Sequence, residues 1–296
     1  MTATLLKAAD AAARIKADIK KEVAAARARG VVPQLGVVFA GDSGASAAYL
    51  RSKVRMGTEL DIVVDVRSLP GDASEAEVAE EVGRLSLNPG IHGVMVELPL
   101  PKHVNPARAL AEIDPVKDVD GVHLVSRGML LRGNDPDALE PVTPLSCLAL
   151  LEEAGISPSG RNVAVVGRGE TVGLPLAVML VKKSATVTVC HSRTANLAEI
   201  VSGSDIVFTA AGKPGLVDAS MLRPGQTVID AGISVLPGGK IAGDVDPRAV
   251  DVVAKLSPVP GGVGSLTTVL IFRNLMKAVR LQKKLGPSGM AAGQAV

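Results

Sequence analysis

Short apolar runs alternate with stretches of helical periodicity twice along this chain, and that alternation restricts the possible folds more than any other feature. Apolar runs joined through helices build parallel sheets buried on both faces, so the expected class is α/β in two lobes. In the first half, strands are expected over 35–40, 62–67 and 93–98, with helices over 46–59, 74–86 and 106–112. The stretch from Asp114 to Pro144 is rich in Pro, Gly and Asp and breaks the pattern. A helix over 144–154 and strands over 162–166, 186–190, 205–209 and 227–230 then make a second α/β domain. A last helix over 267–285 returns to the first lobe. The expected domains are therefore 1–143, completed by 267–285, and 144–266, with 286–296 a disordered tail.

A formal net charge of +2 supplies no basic field of the kind nucleic acid or an anionic membrane requires. No apolar run reaches a spanning length, and the first thirty residues carry charges at helical spacing, unlike a secretory leader. Small-molecule chemistry in the cytoplasm is the expectation, with neither nucleic acid nor membrane as partner. Cys147 and Cys190 lack metal-ligand spacing, so no metal site is expected and both read as plain buried thiols.

The second domain opens with strand "NVAVV", then "GRGETVG", then an apolar helical stretch. Gly167, Gly169 and Gly173 form GxGxxxG between strand and helix, which is the context of a dinucleotide-binding turn; the alternative is an ordinary tight βα turn. About twenty residues further on, an NAD site would carry an acidic residue for the ribose 2′-hydroxyl. Here the sequence is "CHSRT", and Ser192 and Arg193, with Arg168 in the glycine loop, suit a 2′-phosphate. NADP is the expected cofactor.

In the first lobe, "GVMVELPLP" places Glu97 inside an apolar run, where an ionised carboxylate is costly without a partner or an open strand end. Tyr49, the only tyrosine, and Lys53 stand at i and i+4 on one helix face, starting from the C-terminal end of a strand. The cluster Asp118, Asp120 and Gly121 adds further candidates. The stretch "PVPGGVGSLTT" at 258–268 is a glycine-rich turn before a helix, fit for close approach to a ligand or for a sharp bend.

Taken in order, "SxxYxxxK" at 46–53, "VELPLP" at 96–101, "DPVKDVDG" at 114–121, "PVTP" at 141–144, "VVGRGETVGLP" at 165–175, "CHSRT" at 190–194, "DAGI" at 230–233 and "PVPGGVGSLTT" resemble the methylenetetrahydrofolate dehydrogenase/cyclohydrolases of the bacterial FolD type. The resemblance spans nearly the whole chain. It implies a folate cleft between a catalytic lobe and a Rossmann-like NADP lobe, a homodimer through the NADP lobe, and two reactions. The first oxidises 5,10-methylenetetrahydrofolate with NADP; the second hydrolyses the methenyl product to 10-formyltetrahydrofolate. By position, Tyr49 would stack on the aminobenzoate ring, Lys53 would assist the chemistry of the one-carbon bridge, and Asp120 would accept hydrogen bonds from the pterin. Gly167, Arg168, Gly169, Ser192 and Ile233 would meet NADP. Val96, Glu97, Leu98, Pro260, Gly261, Gly262 and Gly264 would flank the folate.

The chain departs from that family pattern. Glu97 stands where the family usually has Gln, Gly169 where it has Ser, Val142 where it has Cys, and Ser265 and Leu266 where it has Pro and Met. Glu97 bears on chemistry: a carboxylate beside Lys53 would hold the lysine as its ammonium and weaken it as a base, unless Glu97 itself takes the proton from water. The expectation is a retained dehydrogenase and a weakened or altered cyclohydrolase. Alternatives are a dehydrogenase alone, a different NADP-dependent dehydrogenase on the same plan, or an inactive folate- and NADP-binding protein.

Overall fold

The computed structural model describes residues 2–41, 44–132 and 137–285, without the side chains of residues 44–49 and 283–285. The expected tail at 286–296 lies outside the described residues. In the first half the elements run β1 (Thr4–Leu5), α1 (Ala9–Arg27), β2 (Gln34–Ala40), α2 (Gly44–Glu59), β3 (Val63–Leu69), α3 (Glu75–Leu87), β4 (Gly93–Val96), α4 (Pro106–Ala111) and α5 (Leu124–Met129). Then come α6 (Val142–Glu153), β5 (Asn162–Val166), α7 (Gly173–Lys182), β6 (Thr186–Cys190), α8 (Leu197–Gly203), β7 (Ile206–Thr209) and β8 (Thr227–Asp230). The chain closes with β9 (Ser234–Val235), β10 (Ile241–Ala242), β11 (Lys255–Leu256) and α9 (Val263–Leu285).

Among the described residues two units are present, one drawn from 15–140 and 268–285, the other from 2–14 and 141–267. The sequence reading puts residues 1–143 with the first lobe; in the structure the first fourteen fall with the second unit. The cause is β1, which pairs in parallel with β11, Thr4 opposite Lys255 and Leu5 opposite Leu256. A two-residue strand leaves too short a pattern to be read from periodicity.

In the first unit, β3-β2-β4 form a parallel three-stranded sheet. Val38, Val94 and Val96 pack with Val78, Val82 and Leu85 of α3 in its core. Helix α3 begins where "SEAE" makes a capping box: the Glu77 N–H donates to Ser74 Oγ and the Ser74 N–H to Glu77 Oε2 at 2.8 Å. Strand β4 stops at Val96, two residues short of expectation, although the Glu97 N–H still donates to the Val38 carbonyl at 2.8 Å. Glu97 therefore stands at the open C-terminal end of the strand.

The second unit holds a parallel sheet of order β1-β11-β8-β7-β5-β6. Strands β7 and β8 are buried at every residue and β5 at all but Asn162, as apolar runs covered on both faces should be. Strand order reverses at β5, with β6 on one side and β7 on the other, so the loops after β5 and β7 flank the crevice where doubly wound sheets bind ligands.

Candidate active site

Lys53 on α2 and Glu97 at the end of β4 meet in a buried ion pair, the Lys53 Nζ donating to Glu97 Oε2 at 2.7 Å. Both side chains are over nine-tenths buried. Glu97 thus has both a strand end and a partner. Tyr49 lies one helical turn before Lys53 on α2, and its side chain falls outside the described residues.

Asp120 reaches the same spot from the loop after Lys117, and the motif "DPVKDVDG" is mostly the scaffold that puts it there. Asp114 caps the turn by accepting from the Val116 N–H at 3.0 Å. The buried Lys117 donates to the carbonyls of Ser86 and Asn88, at 2.6 and 2.8 Å. Asp118, fully buried, pairs alongside Val94 and accepts the N–H groups of Val122 and His123, at 3.1 and 2.8 Å. The chain turns at Gly121, whose φ of +68° favours glycine. From α9, Asn274 donates to the carbonyls of Val119 and Glu140, both at 2.9 Å. Asp118 is therefore held by the N–H groups of its own loop, while Asp120 is half-buried. Desolvation, with Asp118 next in weight, pushes the Asp120 carboxyl up to about 7; Lys53 pulls it down and Glu97 adds to the rise.

Val96 is buried in the sheet and Leu98 packs against the same core. Pro260, Gly261, Gly262 and Gly264 belong to the other unit, where Gly262 has no space for a Cβ against the Pro258 carbonyl. Gly264 lies in the first turn of α9 beside Ile233, which is 43% exposed. Ser265 and Leu266 fall in that same first turn, so the helix starts four residues earlier than its periodicity indicates.

The glycine turn is built tightly. Gly167 has φ +125° and donates its N–H to the Cys190 carbonyl at 2.9 Å. A Cβ on Gly167 would collide with the Ala210 carbonyl, and one on Gly173 with the Gly167 carbonyl. At Gly169 nothing lies within 4 Å, so its backbone is open to a ligand and no steric need excludes a serine there. Beyond β6, the His191 N–H donates to Thr194 Oγ1 at 2.9 Å and the Arg193 N–H to His191 Nδ1 at 3.1 Å. That turn leaves Ser192 and Arg193 exposed, like Arg168. A close-packed glycine cradle, the start of a ten-residue helix and two arginines with no acidic residue in 190–194 fit a dinucleotide carrying a 2′-phosphate. Cys147 and Cys190 are buried thiols, both pushed up by burial. Among the described residues no His, Cys, Asp and Glu cluster could hold a metal.

Residues 6–120 match the tetrahydrofolate dehydrogenase/cyclohydrolase catalytic domain, and residues 141–283 match that family's NAD(P)-binding domain. The chain belongs to the tetrahydrofolate dehydrogenase/cyclohydrolase family. It is 47% identical over 273 residues to the bifunctional protein FolD 2 of Desulfitobacterium hafniense, covering 92% of this chain and 95% of that one. It is 46% identical to the FolD of Heliobacterium modesticaldum, over 95% of this chain and 98% of that one. The bifunctional FolD of Campylobacter jejuni matches with a TM-score of 0.89 and 34% identity, across 94% of this chain and 98% of that one. The Trypanosoma brucei dehydrogenase-cyclohydrolase, solved with NADP and an inhibitor, gives the same TM-score and identity over 95% and 98%. This family member is an enzyme, a bifunctional dehydrogenase/cyclohydrolase of one-carbon metabolism with NADP as cofactor. Lys53, Glu97 and Asp120 fall in its catalytic domain, and the glycine turn with Arg193 in its cofactor domain.

The sequence gives Lys117 no role of its own within "DPVKDVDG" and leaves Asn274 unmarked. Their side chains work on main-chain carbonyls far away in sequence, a contact that no local spacing encodes.

Proposed function

We propose that Lys53, Glu97 and Asp120 form the catalytic and folate-binding centre of this enzyme, with Tyr49 stacking on the substrate's aminobenzoate ring. The observation that carries the reading is the buried Lys53–Glu97 pair at 2.7 Å beside a second carboxylate. In the dehydrogenase reaction, 5,10-methylenetetrahydrofolate loses hydride, and NADP supplies the hydride acceptor. The nitrogen lone pairs next to the methylene carbon stabilise the developing cation, so the residues chiefly have to hold and orient the substrate. Asp120, as carboxylate, accepts hydrogen bonds from the amino edge of the pterin.

Hydrolysis of the methenyl product makes a different demand, because water loses a proton as its oxygen bonds to the methenyl carbon. Lys53 is placed to assist that proton loss, and the negative charge of Glu97 at 2.7 Å from its Nζ opposes the role. The proposed outcome is a full dehydrogenase with a weakened cyclohydrolase. Arg168, Ser192 and Arg193 favour NADP over NAD by pairing with the 2′-phosphate, and Gly167, Gly169 and Ile233 line the same cofactor. Val96, Leu98, Pro260, Gly261, Gly262 and Gly264 are assigned to the folate. The protein is further proposed to act as a cytoplasmic homodimer that provides formyl groups for purine biosynthesis. Purified enzyme given NADP and 5,10-methylenetetrahydrofolate should reduce NADP while the methenyl compound accumulates. Absence of NADPH formation would refute the dehydrogenase assignment.

A further inference from the structure

Two carboxylates outside the centre just described organise the cofactor side of the six-stranded sheet. Asp230 ends β8 and Asp244 follows β10, and both are buried, at 3% and 0% exposure. Asp244 accepts three consecutive N–H groups from the loop after β7: Ala211 and Gly212 on Oδ2, at 2.6 and 3.1 Å, and Lys213 on Oδ1 at 2.7 Å. The loop after β8 lies against the same carboxylate, since a Cβ on Gly232 would overlap it. Asp230 fixes Asp244 in turn. Its Oδ1 accepts the Asp244 N–H at 3.1 Å and the Gly232 N–H at 2.9 Å, and its Oδ2 accepts the Val245 N–H at 2.9 Å. Thr209 Oγ1 completes the set at 2.8 Å.

These loops touch the glycine turn directly. The Ala210 carbonyl and the Ala211 N occupy the space into which a Gly167 Cβ would project. Residues 211–213 are exposed, so without an internal acceptor their three N–H groups would be left to water and their backbone to several conformations.

We propose that Asp244 is a positioning residue for the cofactor: its carboxylate, seated by Asp230, gathers the loops after β7 and β8 into a fixed floor under the glycine turn, and so sets NADP affinity through the backbone. The proposal rests on the assignment of NADP to this face.

The first measurement uses the wild-type protein without cofactor. Amide hydrogen exchange at Ala211, Gly212 and Lys213 should be protected although the residues are exposed; exchange as fast as in other exposed loops would overturn the proposal. The second uses Asp244→Asn, which keeps one acceptor oxygen and turns an amide N–H toward the remaining donors. Its NADP dissociation constant and KM should rise about tenfold, with kcat at saturating NADP and methenyl hydrolysis measured without NADP both within about twofold. An NADP affinity unchanged in a folded Asp244→Asn protein overturns the positioning role. If the variant does not fold, the exchange result alone decides. A wild-type protein that binds no NADP refutes the cofactor assignment itself, whatever the exchange pattern.

Discussion

Replacing Glu97 by Gln isolates what one charge does in the catalytic centre. The Lys53–Glu97 pair is 2.7 Å long, and its side chains are 8% and 7% exposed. At that separation and an effective dielectric of about 20, the attraction between unit charges is ~6 kcal/mol. Desolvation of the two ions takes back several kcal/mol, so the net worth of the pair is far smaller than that attraction. Glutamine keeps an oxygen that accepts from Lys53 and removes only the charge. Since about 1.4 kcal/mol off a barrier is tenfold in rate, loss of a small part of that attraction suffices to change a step that uses the Lys53 amine by about tenfold. If that amine assists the attacking water, hydrolysis of supplied methenyltetrahydrofolate should accelerate by about tenfold in Glu97→Gln, while NADP reduction changes by less than about twofold. Thermal unfolding should fall by roughly 2–8 °C, from loss of about 1–2 kcal/mol in a chain of this size. The assay follows the methenyl absorbance in both directions of the experiment, with wild type and variant side by side. Wild-type hydrolysis that keeps pace with the dehydrogenase, and is unchanged in Glu97→Gln, would refute the reasoning. Slower hydrolysis in the variant would also refute it, by making Glu97 the group that receives water's proton.

Asp120 should impose a pH dependence on folate use. Its carboxyl is raised to about 7, so the carboxylate that accepts from the pterin forms as pH climbs through that value. The kcat/KM for the folate should rise between about pH 6 and 8 with an inflection near 7, and Asp120→Asn should flatten the profile. The stability linkage has the opposite slope: the folded protein holds this proton from about pH 4 to 7 and the unfolded chain does not, so stability falls with rising pH across that window. Arg193→Ala should weaken NADP binding by about tenfold and leave NAD binding unchanged, read by titration of both dinucleotides. Asn274→Ala leaves the Val119 and Glu140 carbonyls without their shared donor; denaturant unfolding should show a loss of about 1–3 kcal/mol, and the KM for folate should rise as the loop bearing Asp120 loosens.

By itself the sequence determined the α/β class, the sites of the main strands and helices, the glycine turn and the cofactor type, because each is written in local spacing. Strands β5, β6 and β8 fall at the residues their apolar runs indicate, and Gly167 is required by a turn that follows directly from its strand. Tertiary structure decided the rest. It separated Asp118 from Asp120, one buried under loop N–H groups and the other left half-buried near Lys53, although the two stand two residues apart in one motif. It gave the first fourteen residues to the second unit, through a strand too short to carry periodicity. It also set Asp244 under the loop at 211–213, about thirty residues away in the chain. The physical reason is common to all three: local pattern fixes which face a residue presents, while the partner that satisfies a buried charge comes from another part of the chain and is chosen only when the elements pack.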